Sequence, residues 1–116
     1  MKKDPERTRA IAAFIRYAEL EYPSNEDAIF YEYYEYEVIK DICAINGMFE
    51  YLDREGKEYI SKAVRDVYMF LPGNGLKRNI SSRVLAYATK AYADERTVYR
   101  WLNCAVEIFT TIRESL

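Results

Sequence analysis

Three polar side chains recur at spacings of four and three residues in the C-terminal part of the chain: Arg96, Arg100 and Asn103. On a helix these spacings place all three on one face. An arginine can form two hydrogen bonds with a guanine edge, and an asparagine can do the same with adenine. The pattern therefore predicts a helix whose first turns contact base edges of double-stranded DNA, with Thr97 and Tyr99 as adjacent DNA contacts.

Basic side chains are concentrated around this pattern, although the chain as a whole is slightly acidic. The sequence has 116 residues and a net charge of −2. Residues 1–72 have ten basic and fifteen acidic side chains, whereas residues 73–103 have six basic and two acidic ones. A local basic segment is typical of proteins that neutralise phosphates. The predicted further contacts at the DNA are Lys77, Arg78, Ser82, Arg83 and Lys90.

The elements that must position these residues are predicted to be helices, because apolar residues recur at spacings of three and four and cap residues separate the runs. Asp4-Pro5 and Asp94 are typical helix starts, and Asn46-Gly47 is a typical helix stop. Residues 48–52 are expected to form a short turn or helix. The five main helices are expected from Pro5 to Tyr22, from Glu26 to Ile45, from Asp53 to Phe70, from Ser81 or Ser82 to Ala91, and from Asp94 almost to Leu116.

The inner faces of these helices are predicted from the same spacing. In the last helix the expected inner residues are Val98, Trp101, Leu102, Ala105, Ile108, Phe109 and Ile112. The second helix is expected to bury Phe30, Tyr34, Val38, Ile42 and Ile45. These stripes predict a compact all-α bundle of about five helices that forms one domain, with an acidic part at 1–52 and a second part at 53–116.

The last two predicted helices fit a helix-turn-helix, in which two short helices meet across a tight turn. Ala88 is the small residue that close packing of the two helices requires, and residues 92–94 form the turn. Because the turn has no glycine, we expect Tyr92 or Ala93 to adopt an unusual backbone angle. The alternative is an ordinary antiparallel helical pair within the bundle.

The segment Asp94-Glu95-Arg96-Thr97-Val98-Tyr99-Arg100-Trp101-Leu102 resembles the recognition helix of sigma-factor-like phage transcriptional regulators. Upstream, Leu52-Asp53-Arg54-Glu55, Tyr59-Ile60 and Val67-Tyr68 are similar to the helix that precedes it in those proteins. The family is that of the ArpU/RinA-type late-gene activators, related in shape to sigma region 4, and the likeness covers about Leu52 to Leu116. The resemblance implies promoter-region DNA binding and transcription control. It carries over four DNA contacts: Arg96, Thr97, Tyr99 and Arg100.

A second candidate surface lies in the tyrosine- and glutamate-rich segment Tyr31–Glu37. Tyrosine is enriched among the residues that dominate protein interfaces. Tyr31, Tyr33 and Tyr36 are therefore predicted to contact a protein, with RNA polymerase or a second copy of the chain as candidate partners. The alternative is a core helix whose tyrosine rings pack inside while their hydroxyls reach water. If this surface carries the function, the protein is a non-catalytic interaction module, either an adaptor or an inhibitor.

The sequence has few features that indicate metal binding, catalysis or membrane contact. The chain has no histidine and two cysteines, so a metal site of the usual ligand types is not expected, and Cys43 and Cys104 are predicted to be buried thiols. Acid–base catalysis usually needs a histidine or a pair of carboxylates in contrasting environments, and the sequence indicates neither. We expect no enzyme activity, cofactor or small-molecule substrate. No apolar run reaches about 18 residues, so no transmembrane span or membrane contact is expected. The charged N-terminus has no apolar signal core, so a cytoplasmic location is expected by default.

Overall fold

Six α-helices form the part of the chain that the computed structural model describes, residues 4–30, 35–69 and 79–116. They are α1 (Pro5–Glu19), α2 (Asn25–Phe30), α3 (Tyr36–Arg54), α4 (Glu58–Val67), α5 (Ile80–Lys90) and α6 (Glu95–Glu114). Within these ranges there is no β-strand, and the predicted all-α bundle is confirmed. None of the helices described in these ranges is long and apolar enough to cross a bilayer.

The C-terminal helix α6 is the centre of the bundle and packs against α1, α3, α4 and α5. Its inner face buries Leu102 and Phe109. The Phe14 ring of α1 lies edge-on to the Phe109 ring with centroids 5.3 Å apart and stacks on Tyr68 at 5.8 Å. Aromatic rings in such pairs bury large apolar areas in a defined geometry. The orientation of α6 is therefore fixed by residues from most of the chain.

Both of the last two helices begin at a side-chain cap. Asp94 accepts a hydrogen bond of 2.7 Å from the Thr97 backbone N–H, which confirms the predicted cap of α6. For α5 the predicted serine caps are wrong. Asn79 has the extended backbone of a cap, and its side-chain oxygen accepts from the Ser82 backbone N–H at 2.8 Å.

The predicted helix from Glu26 to Ile45 is wrong, because two helices occupy this part of the chain. The first ends at Phe30, and the second begins at Tyr36 after Glu35, whose backbone is extended (φ −63°, ψ 153°). The Phe30 side chain is 82% exposed, so it does not continue the inner stripe of Ile42 and Ile45. Among the other residues of that predicted stripe, Val38 is half-buried, and Tyr34 lies outside the described residues.

The predicted stop at Asn46-Gly47 is wrong, because α3 continues through both residues to Arg54. The Asn46 side chain makes contacts outside its own helix: it accepts a hydrogen bond from the Tyr17 hydroxyl and donates one of 3.0 Å to the Pro23 carbonyl. Ile112 of α6 packs beside Gly47: a β-carbon placed on Gly47 would lie 3.5 Å from the isoleucine side chain. Tertiary contacts therefore outweigh the local stop signal.

The helix stop lies nine residues further on, at Gly56, whose φ of +71° is readily adopted only by glycine. Asp53 is consequently inside α3 rather than the cap of the next helix, and α4 runs from Glu58 to Val67 instead of to Phe70, which lies outside the described residues. The two cysteines also differ from prediction. Cys43 and Cys104 are half-buried rather than buried, and burial raises the pKa of the Cys43 thiol.

Candidate nucleic-acid interface

The connection between α5 and α6 is short and hydrogen-bonded. The Ala93 N–H donates to the Ala88 carbonyl at 2.9 Å, and the Tyr92 N–H donates to the Thr89 carbonyl at 3.4 Å. This pattern closes the end of a helix when the intervening residue is left-handed. Tyr92 has a φ of +54°, so the unusual backbone angle predicted for the turn is confirmed at that residue.

The inner side of α6 is fixed against α4 and α5 by aromatic contacts. The Trp101 ring lies edge-on to Tyr59 and Tyr87, at centroid distances of 4.9 Å and 6.3 Å. The Tyr87 hydroxyl donates a 2.9 Å hydrogen bond to the Tyr59 carbonyl. Val98 and Leu102, which flank Trp101, are fully buried. Because this side is locked, the direction of the opposite side of α6 is determined as well.

The opposite side of α6 presents Arg96, Arg100 and Asn103 to solvent. In the part of the chain that the structure describes, neither arginine forms an ion pair with a carboxylate. Both are near the Asp94 cap: the Thr97 N–H holds the pKa of the Asp94 carboxyl below its ordinary value, and the two arginines lower it further. Their guanidinium groups therefore remain available to an external acceptor.

Tyr99 lies at the edge of this face and packs inward. Its side chain is half-buried against the core, and the Arg7 guanidinium of α1 lies over its ring, 5.8 Å from the centroid. Thr97 is also half-buried, with its backbone N–H taken by Asp94. Arg7 thus joins the first turns of α6. No local pattern in the sequence indicates this cation, because its position depends on how α1 packs on α6.

The flanking cations predicted from the sequence are not all equally available. Lys77 and Arg78 lie outside the described residues. Arg83 is half-buried and donates a 3.0 Å hydrogen bond to the Val67 carbonyl at the end of α4, so its guanidinium has a structural role. Ser82 is exposed on α5.

Lys90 is exposed but has an acidic neighbour. Its Nζ lies 3.6 Å from the Asp66 carboxylate, at the side of a groove of about 600 Å³ between α4 and α5. Lys62 and Glu58 line the same groove, which therefore combines positive and negative side chains. This mixture gives the groove no clear preference for phosphate.

The predicted protein-contact surface is described only at its edge. Tyr31 and Tyr33 lie outside the described residues. Tyr36 is 68% exposed, with the Lys40 Nζ 4.4 Å from its ring centroid. Ile29 and Phe30 are exposed as well, by 65% and 82%. Large apolar side chains are thus accessible on both sides of residues 31–34.

The chain matches no protein-family model, and comparisons with curated proteins and with solved structures gave no match. Among the described residues, no three histidine, cysteine, aspartate or glutamate side chains gather closely enough to hold a metal ion.

Proposed function

We propose that this protein is a DNA-binding transcriptional regulator of phage or prophage type, which places the first turns of α6 in the major groove of promoter-region DNA. The observation that carries the proposal is the joint exposure of Arg96, Arg100 and Asn103 on one side of a helix whose other side is buried. These are the side-chain types that form paired hydrogen bonds with guanine and adenine. The resemblance of residues 94–102 to ArpU/RinA-type recognition helices supports the same function.

Phosphate contacts come from side chains at the border of this face. Arg7 lies next to Tyr99, and Lys90 lies near the end of α5, four residues before Asp94. The Lys90–Asp66 pair is exposed, and exposed pairs contribute little, so the lysine can exchange its carboxylate for a phosphate at small cost. Ser82 and the sequence-predicted Lys77 and Arg78 complete the proposed set. Arg83 is left out because its guanidinium serves the end of α4.

Acidic residues limit the extent of the proposed contact. Glu107 is exposed on the same side of α6, two turns beyond Arg100, and would repel phosphate. We therefore expect contact with DNA to end near Asn103. The acidic N-terminal half of the chain would face away from the duplex or face a protein.

The proposal is tested by titrating a labelled pool of random-sequence duplexes with the full chain and following fluorescence anisotropy at several salt concentrations. Binding should weaken steeply with salt, with a logarithmic slope of about −0.9 for each phosphate contacted. Sequences enriched by repeated selection should share a short motif in which at least one G·C pair and one A·T pair are invariant. Absence of any duplex affinity at low salt would refute DNA binding.

A protein-interaction module is the second candidate, favoured by the exposed Ile29, Phe30 and Tyr36. Large exposed apolar groups frequently mark protein contacts. If the partner is a second copy of the chain, sedimentation analysis should show a dimer that Phe30→Ser converts to a monomer. A wild-type protein that remains monomeric at high concentration would exclude self-association.

A further inference from the structure

Tyr92, in the connection between α5 and α6, combines an unfavourable backbone with a fully exposed side chain. Its φ is +54°, in the left-handed region that destabilises residues with a β-carbon. Its side chain is 98% exposed and makes no hydrogen bond, ion pair or ring contact with any other described residue. The fold therefore gains nothing from a tyrosine at this position.

Equivalent positions elsewhere in the chain show what a structural solution looks like. After α3 the left-handed residue is Gly56, with the same hydrogen-bond pattern: the Gly56 N–H donates to the Asp53 carbonyl at 3.1 Å and the Lys57 N–H to the Leu52 carbonyl at 2.8 Å.

After α1 the same hydrogen-bond pattern places Glu21 at the left-handed position (φ +62°): its N–H donates to the Ala18 carbonyl at 3.0 Å and the Tyr22 N–H to the Tyr17 carbonyl at 3.1 Å. Glu21 exposes a charged side chain, which water solvates.

Tyr22, which follows it, also has a positive φ, but its side chain is used by the fold. Its hydroxyl donates a 3.2 Å hydrogen bond to the Met69 carbonyl, and its ring packs edge-on to Tyr17 at 5.4 Å. Tyr92 is not a glycine, its side chain contacts no other described residue, and it exposes an aromatic ring where Glu21 exposes a carboxylate. Strained residues without an internal role are frequently found where a protein meets a ligand.

The position of Tyr92 indicates what it would meet. It lies two residues before the Asp94 cap and four before Arg96, at the entrance to the exposed face of α6. When a helix lies in the major groove, the preceding turn lies near the sugar–phosphate backbone, and a tyrosine hydroxyl is one of the groups that hydrogen-bond to phosphate.

We propose that the Tyr92 hydroxyl donates a hydrogen bond to a DNA backbone phosphate beside α6, an inference that rests on the proposed function.

The experiment measures duplex affinity and melting temperature for wild type, Tyr92→Phe and Tyr92→Gly, using one selected duplex at a fixed salt concentration. We expect both variants to bind about tenfold more weakly, because a hydrogen bond to a charged group is lost. Tyr92→Gly should also melt at a higher temperature than wild type, because glycine adopts a positive φ without strain. Tyr51→Phe, which removes the hydroxyl of an exposed tyrosine in α3, should leave both measurements unchanged.

The outcomes separate this inference from the proposed function. If wild type binds the duplex and both Tyr92 variants bind equally well, the phosphate contact is refuted while DNA binding stands. If Tyr92→Gly weakens binding but Tyr92→Phe does not, the hydroxyl is not the contacting group and the inference is also refuted. If wild type binds no duplex, the proposed function fails and the inference fails with it.

Discussion

Arg100 and Lys90 are both exposed cations, yet their removal should affect DNA binding in different ways. Arg100 is on the outward side of α6, where we expect it to contact a base. Arg100→Ala should therefore weaken binding to the selected duplex by about 1–3 kcal/mol and relax the preference at one base pair. Titrations with the selected duplex and with single-base variants of it measure both effects. Equal weakening on every sequence would instead assign Arg100 to the DNA backbone.

Lys90 is expected to contact phosphate only. Lys90→Ala should weaken binding to all sequences alike and should reduce the magnitude of the logarithmic salt slope by about one. Anisotropy titrations at four or more salt concentrations give this slope. Arg16→Ala is the matched control, because Arg16 is an exposed cation at the end of α1, outside the proposed interface. A control variant that lowers affinity as much as Lys90→Ala would show that only net charge matters.

At the residue scale, the sequence could predict which α6 side chains are exposed but not which cations have partners within the chain. The periodic burial of Val98 and Leu102 fixes the outward direction of Arg100, because a helix face follows from spacing alone. The contact between Arg83 and the Val67 carbonyl joins residues sixteen apart on different helices. Such a contact depends on tertiary packing, and no local pattern predicts it.

At the scale of single elements, the start of α6 depends on the Asp94 cap. Asp94→Ala removes the acceptor of the Thr97 N–H and should lower the melting temperature at pH 7. Asp94→Asn should melt close to wild type, because asparagine caps helices about as well as aspartate. Thermal unfolding followed by circular dichroism measures both variants. Equal melting temperatures for wild type and Asp94→Ala would contradict the stabilising role of the cap.

The same cap makes stability depend on pH. The Thr97 N–H lowers the pKa of Asp94 in the folded chain, so its carboxylate stabilises the fold above the ordinary aspartate pKa of about 3.9. That contribution is lost as the pH falls through the lower pKa of the folded state. Melting temperatures between about pH 5 and pH 2 should therefore fall less steeply for Asp94→Asn, which cannot titrate, than for wild type. Parallel curves would show that Asp94 does not contribute to acid unfolding.

Helix ends were predictable where a local signal controls them and not where distant residues do. Asp94 is confirmed as a cap because its partner is three residues away. Asn46-Gly47 failed as a stop because Tyr17 and Pro23, both more than twenty residues earlier, hold the Asn46 side chain within a continuous helix. The helix ends instead at Gly56, whose φ of +71° suits glycine.

At the scale of the whole molecule, α6 contributes to two regions with different requirements. Its first turns carry the proposed DNA contacts, and its last turn is tied to the beginning of α3 by charged groups. Arg113 is 8% exposed, and its Nε donates a 2.8 Å hydrogen bond to Asp41. Its Nη2 pairs with the Glu37 carboxylate, whose pKa that hydrogen bond lowers. These residues are more than seventy positions apart in the sequence, which is why composition and spacing did not predict the cluster.

Breaking this tie should destabilise the bundle without changing DNA recognition. Arg113→Met leaves Asp41 without its partner in a half-buried position, and we expect a loss of about 1–3 kcal/mol in the free energy of unfolding, measured by urea denaturation. The double variant with Asp41→Leu should regain most of that loss, because an apolar pair of similar volume removes the unpaired charge. Additive losses in the double-mutant cycle would show that Arg113 and Asp41 do not stabilise each other. Arg96 and Arg100 lie at the other end of α6, so the duplex affinity of folded Arg113→Met should equal that of wild type. A loss of affinity would indicate that the contacts of Arg113 with Asp41 and Glu37 position the whole helix.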